Sequence, residues 1–300
     1  MIKNALALAF LFVFSLSLVN AQENSDNDST KAWDLGSITS LTVNQTLLKY
    51  WVAGGQNSLA INAFTRMHAN YSKNNFKWQN TLELAYGMLK QQDLPMRKTD
   101  DKIELNSQMG IKAFDSFYYT VLFNFKTQFT VGYKYTQTDS TKISNFLSPG
   151  YLVFSAGMDY KPSKHFGLYA SFVSGKVTIV TDPELSAIGA YGVDSGKTVR
   201  YELGAYAKVN FNKEVIKNVT VIANLNLFSN YLKNPQNIDV NADVFVSYKA
   251  TKHLSFNVKT NFIYDDDIKI LIDEETGHKG PRLQTMEIFG LGLTFKFPEK

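Results

Sequence analysis

From residue 117 to residue 135 the chain alternates with a period of two. Phe117, Tyr119, Val121, Phe123, Phe125, Phe129, Val131, Tyr133 and Tyr135 fall on one side, with Thr127 among them. Asn124, Lys126, Gln128, Thr130 and Lys134 fall on the other. Successive strand side chains point to opposite faces, so this run predicts a long strand. Its apolar face is too aromatic to lie in water, and its polar face carries charge that an ordinary dry core would not accept unpaired. A sheet greasy outside and wet inside is the pattern of a membrane barrel. The tyrosine-rich end, Tyr133 and Tyr135, is expected to project past the bilayer near the outer interface.

The same pattern recurs along the chain. It predicts strands at 58–71, 76–88, 103–113, 151–161, 165–174, 199–211, 219–231, 238–250, 254–264 and 283–297, with a weaker instance at 33–48. That makes about twelve strands, an even number of the kind closed bacterial barrels use. Closure is required because an open sheet edge finds no water for its backbone inside a bilayer. Short links near residues 73–75, 115–116, 161–164, 212–217 and 251–252 alternate with longer ones at 91–100, 137–149, 175–198 and 265–282. This is the asymmetry of periplasmic turns and outer loops, and it sets both chain ends in the periplasm. The link 233–236 falls on the outer side yet is short.

The first residues change the picture of location. Lys3 is followed by an uncharged, mostly apolar run from Ala5 to Val19 and by Val19-Asn20-Ala21. That is the layout of a cleaved secretory signal at 1–21, and the run is short for crossing ~30 Å of hydrocarbon. Residues 22–32 are polar and aperiodic, and are expected to form a disordered periplasmic leader before a barrel at 33–300. The chain has no cysteine, which removes disulfides, thiolate metal sites, a cysteine nucleophile and a lipid-anchored N-terminus. A net charge of +4 is too mild to imply nucleic acid. The mean hydropathy of −0.18 does not speak against a barrel, because only alternate residues meet lipid.

The segment Tyr50-Trp51-Val52-Ala53-Gly54-Gly55-Gln56-Asn57-Ser58 is followed by Ala69-Asn70-Tyr71, Lys77-Trp78-Gln79-Asn80 and Leu84-Ala85-Tyr86-Gly87. This series resembles a family of uncharacterised outer-membrane barrel proteins of Bacteroidota, catalogued as a domain of unknown function. The resemblance covers most of the mature chain, with its specific motifs in the first third. It implies a barrel and an outer-membrane address, and neither an activity nor site residues. Barrels of this kind often end on an aromatic read by the assembly machinery. Here Phe295 and Phe297 alternate correctly, and Pro298-Glu299-Lys300 follow them.

Candidate chemistry is sparse. The inward polar set comprises Arg66, Glu83, Glu104, Lys126, Arg200, Glu202, Lys208, Asp243 and Lys259. It reads first as a lumen held by paired charges and water, and second as a selectivity ladder lining a narrow pore. The mixed signs argue against strong ion preference. Gly54-Gly55-Gln56-Asn57 lacks the lysine and the helix of a phosphate loop, and fits a tight connection using positive φ. The acids Asp265, Asp266, Asp267, Asp273, Glu274 and Glu275 offer oxygen ligands, but their spacing matches no calcium loop and such runs are usually solvated. Arg97 and Lys98 are placed in an outer loop, where lipopolysaccharide is within reach. Of the four histidines, His165 and His253 fall at periplasmic turns and His278 in an outer loop. Only His68 faces inward from a strand, and the sequence supplies it no serine partner for acyl transfer.

The sequence therefore specifies an all-β chain, a transmembrane antiparallel β-barrel of about twelve strands. It is expected to be non-enzymatic, without cofactor, metal or nucleic acid, acting as a small-solute channel or a structural envelope protein of the Gram-negative outer membrane. The competing readings are a lipid- or peptide-hydrolysing barrel and a ligand-binding barrel using its outer loops. Its expected partners are outer-membrane lipid, lipopolysaccharide and the barrel-assembly machinery.

Overall fold

Alternation becomes backbone pairing over nearly the whole ring. In a computed structural model of the chain, residues 32–48, 56–91, 94–136, 139–272 and 277–297 are described. The strands, in chain order, are β1 (Trp33–Thr46), β2 (Ser58–Lys73), β3 (Phe76–Gln91), β4 (Arg97–Phe114), β5 (Phe117–Thr127), β6 (Gly132–Tyr135), β7 (Ser140–Ser144) and β8 (Gly150–Ser163). They continue as β9 (Phe166–Ile179), β10 (Val199–Ile216), β11 (Val219–Asn230), β12 (Ile238–Lys249), β13 (Leu254–Tyr264), β14 (Ile270–Leu271), β15 (Lys279–Gly280) and β16 (Gln284–Phe297). Twelve of them form a closed barrel in the order β1-β16-β13-β12-β11-β10-β9-β8-β5-β4-β3-β2. The ring closes where β16 pairs antiparallel with β1, from Ser37 opposite Phe297 to Val43 opposite Leu291. Segment 33–48, the weakest in the sequence pattern, is thus the strand that completes the ring, paired on both edges. Among the described residues no helix is long and apolar enough to cross a membrane.

Each face of the wall follows the alternation. In β5, Tyr118, Thr120, Leu122 and Asn124 are buried inside, while Tyr119 and Val121 are exposed on the outer face. The outward set elsewhere includes Met109, Phe154, Phe172, Leu203, Phe289 and Leu291, with Phe172 82% exposed. Aromatics gather at the short-turn end, where Trp33 meets Tyr71 and Trp78, Phe117 stacks on Tyr160, and Tyr248 stacks on Phe256. Tight turns at this end use Asn74, Asp115 and Asn218 at positive φ, a conformation that Asn and Asp tolerate better than other side-chain-bearing residues.

The opposite end differs from the sequence reading. The strand expected over 117–135 stops at Thr127. The Asp101 carboxylate captures the backbone N–H groups of Phe129 and Thr130 at 2.7 and 3.0 Å, which bends the chain off the ladder. Thr127 then bonds the returning loop, donating to the Pro149 carbonyl and accepting from the Leu147 N–H. Tyr133 and Tyr135 lie in β6, which pairs with β7 as a separate hairpin. A second loop, 180–198, carries a short helix α1 (Pro183–Ala187) capped by the Asp182 side chain. That loop closes its own apolar knot of Val180, Leu185 and Val193, with Ala190 and Tyr191 packed against it. The outer link between β11 and β12 is consistent with its side of the barrel, since Lys233 there donates to Asp267 of the loop after β13 at 2.9 Å.

Candidate functional site

Interior positions from opposite walls meet across the lumen. Rings of eight strands are just filled by side chains, while those of sixteen or more leave a channel. A ring of twelve falls between, so filling it takes long side chains. Lys102, on β4, carries its ammonium into a nest of three carboxylates: Glu83 at 2.5 Å, Asp243 at 3.0 Å and Glu104 at 3.4 Å. Strands β12 and β4 hold the fourth and tenth places in the ring, so the Lys102–Asp243 contact spans the barrel. Glu83 is also bonded by Arg66 at 2.6 Å, and Asp243 accepts from Asn224 at 2.7 Å. Beside this cluster Lys259 of β13 reaches Asp100 of β4.

Apolar side chains reinforce the closure. Phe64 and Phe245 meet with ring centres 5.0 Å apart and pack with Ala85 and Ile222. Leu122, Val153, Tyr169, Tyr206 and Phe228 form a second interior cluster. Cavities of about 20 and 10 Å³ lie next to Phe64 and Lys259, room for about one water each.

Toward the loop end, Arg200 bonds Glu202 at 2.5 Å and Asp267 at 2.6 Å, and Lys176 bonds Asp239 at 2.5 Å. Partial burial works against charge on Asp267, yet hydrogen bonds from Lys233 and Arg200 and their charges hold its carboxyl below the usual range. In the loop platform a hydrogen bond from Asn145, with others from the Leu185 N–H and Lys142, likewise lowers Asp182. Burial pushes the Tyr191 phenol up to about 12, and its hydroxyl donates to the Ile143 carbonyl.

All nine residues expected inside lie on inward positions, but they do not form one ladder. Arg66, Glu83, Glu104 and Asp243 share the Lys102 cluster, Arg200 and Glu202 pair nearer the loops, and Lys259 joins Asp100. Among the described residues neither Lys126 nor Lys208 forms an ion pair, and Lys208 donates to the Asn106 side chain at 2.7 Å. Sequence reasoning missed Asp100 and Lys102, which fall in the polar run 97–102. The signal was present: Asp100, Lys102, Glu104 and Asn106 share one parity, continuing the inward face of β4.

Other expectations change with the geometry. Arg97 and Lys98 begin β4 instead of lying in a loop, because the strand extends outward past the segment expected at 103–113. Lys98 is held by Asp101 and the Thr130 carbonyl, and Arg97 lies 4.5 Å from the Tyr135 ring centre. Of the acidic loop, Asp267 is held by Arg200 and Lys233, and Asp266 accepts from Asn237. Asp273, Glu274 and Glu275 lie outside the described residues, as do Gly54, Gly55 and Pro298 to Lys300. His68 faces inward 3.5 Å from Asp34, and among the described residues no serine or threonine hydroxyl hydrogen-bonds to it. The three carboxylates of the Lys102 cluster lie within 4.8 Å of one another, a spacing suited to a hard cation. Lys102 already holds the place such an ion would take.

A family model described as "Protein of unknown function (DUF3078)" matches residues 43–133. No curated protein matches the chain. Among solved structures, the translocator domain of autotransporter NalP from Neisseria meningitidis is similar at 11% identity and a TM-score of 0.37, covering 98% of each chain. An outer membrane channel from Pseudomonas putida F1 is similar at 10% identity and a TM-score of 0.37, over 90% of this chain and 99% of that one. OmpT, an outer membrane protein of Vibrio cholerae, is similar at 11% identity and a TM-score of 0.30, over 88% and 97%.

Proposed function

We propose that the chain is an exported outer-membrane barrel with a shut lumen, serving as a structural element of the envelope and not as a standing pore or a hydrolase. The location follows from the outward apolar belt, the aromatic ring at the short-turn end, and an interior holding the buried charges. Residues 1–21 act on this reading as the cleaved signal. Membrane lipid and lipopolysaccharide are its surroundings, and the barrel-assembly machinery inserts it.

The observation that carries the shut-lumen reading is the contact of Lys102 with Asp243 between opposite strands. A conduit needs an unobstructed path, and an ion pair held in a low-dielectric interior does not part without large cost. Planar bilayer recording of the purified mature protein tests this. Wild type is expected to stay electrically silent, and the double variant Lys102→Ala, Lys259→Ala to show discrete openings. Steady conductance from wild type sinks the proposal and favours the channel reading.

A further inference from the structure

Elsewhere in the lumen, Lys102, Lys176 and Lys259 each meet a carboxylate. The inner face of β4 from Asn106 to Gly110 departs from that pattern. Three lysines from three other strands converge there. Lys208 of β10, only 4% exposed, reaches no acid and donates to the Asn106 amide oxygen at 2.7 Å. Lys161 of β8 crosses to Gln79 of β3, the strand neighbour of Gln108. Lys77 of β3 lies 4.3 Å from the Tyr118 ring centre. That contact crosses β4 in front of Gly110, which is paired with Lys77. Gly110 lets Thr120 and Tyr118 pack close at the edge of the patch, since a Cβ there would stand 2.8 Å from Thr120 Oγ1.

Gln108 lies in the middle of this patch, 9% exposed, and its Nε2 is buried without a hydrogen-bond partner. Buried donors in folded proteins are almost always satisfied. The acid within the patch is Asp159, held by Lys161 at 2.5 Å. Glu83 and Glu104 belong to the next rung, where Arg66 and Lys102 engage them. Among the described residues, Asp159 is thus the carboxylate that directly contacts any of these three ammonium groups or the amide donor, which spread over about 13 Å of strand at ~3.3 Å per residue.

We propose that this patch binds a small soluble phosphoryl oxyanion entering from the short-turn mouth. Several oxygen acceptors on one compact anion suit divergent lysine donors and the orphan amide together, and lysine is a common phosphate ligand. Lys102, Lys176 and Lys259 each meet an acid in the lumen, whereas Lys208 meets only the Asn106 amide oxygen. Enclosure within the barrel wall admits a free anion and excludes a lipid headgroup tethered to its tails.

The test is a titration of the refolded mature barrel in detergent micelles with inorganic phosphate, against sodium chloride at equal ionic strength. Phosphorus NMR line width reports binding. Wild type should broaden the phosphate resonance saturably. Gln108→Glu keeps the shape, gives the lysines a carboxylate and so supports folding, but should weaken binding by about tenfold or more, a shift of at least one decade in Kd. Lys208→Met should do the same, and Lys233→Ala in the outer link should change nothing. Absence of phosphate-specific broadening in wild type, or unaltered binding by Gln108→Glu, overturns the proposal. It stands apart from the shut-lumen reading, since a silent bilayer trace can accompany either result.

Discussion

Replacing Lys102 with methionine removes the cation shared by two buried carboxylates and the partly buried Asp243 while keeping most of the side-chain volume. Glu83, Glu104 and Asp243 would then face one another with oxygens within 4.8 Å. At an effective dielectric near 20, each such pair repels by about 3.5 kcal/mol or more. Proton uptake and the Arg66 bond to Glu83 relieve part of that load. The net loss should settle at about 3–5 kcal/mol, the range for breaking a buried ion pair by removing one partner. Equilibrium unfolding of the barrel in lipid vesicles by guanidinium chloride measures it, with tryptophan fluorescence as readout. Adding Asp243→Asn to Lys102→Met should restore at least 1 kcal/mol, because one repelling charge is gone. A loss under about 1 kcal/mol in the single variant, or no recovery in the double, would refute the reasoning that this ammonium holds the lumen together.

Further outcomes follow from other parts of the molecule. Phe172→Arg, on the lipid-facing wall at 82% exposure, should cost about 2–4 kcal/mol on folding into vesicles if it sits near mid-bilayer, and a cost near zero would contradict the membrane reading. Asp101→Ala removes an acceptor of two backbone N–H bonds and a Lys98 ion pair. It should expose the segment after Thr127 to limited proteolysis while the barrel survives, and an unchanged digestion pattern would argue against that tether. Asp182 has a lowered pKa, set first by Asn145. Its contribution is therefore full above the ordinary carboxyl value of about 3.9 and disappears as pH falls through the lower folded value. Hydrogen-exchange protection of α1 should hold at pH 5, fall once the pH is taken below the ordinary carboxyl value, and be lost at both in Asp182→Ala.

Much of the barrel was legible because lipid and lumen impose opposite chemistry on alternate residues. Every ring strand, including the faint one from Trp33, has a counterpart in the alternation. The pattern failed where that contrast ends. Thr130, Tyr133 and Tyr135 keep the parity of the strand before them, yet they lie past the point where Asp101 takes the backbone. In the run Lys98-Thr99-Asp100-Asp101-Lys102 both parities are polar, so a strand edge looked like a loop. The inward residues were readable as a set, but not their partners. Which lysine meets which acid depends on ring closure and register, and no local spacing encodes that Lys102 finds Asp243.

The bond between Lys102 and Asp243 joins residues 141 positions apart. Both belong to strands on opposite walls, so neither can find the other while the sheet is still an open ribbon. Pairs between adjacent strands, such as Arg66 with Glu83, can form early, but contacts across the lumen must wait until the last seam, between the first and final strands, is sewn. Insertion should accordingly look concerted, with partly rolled forms too costly in lipid to accumulate and the cross-lumen bridges arriving as the final event.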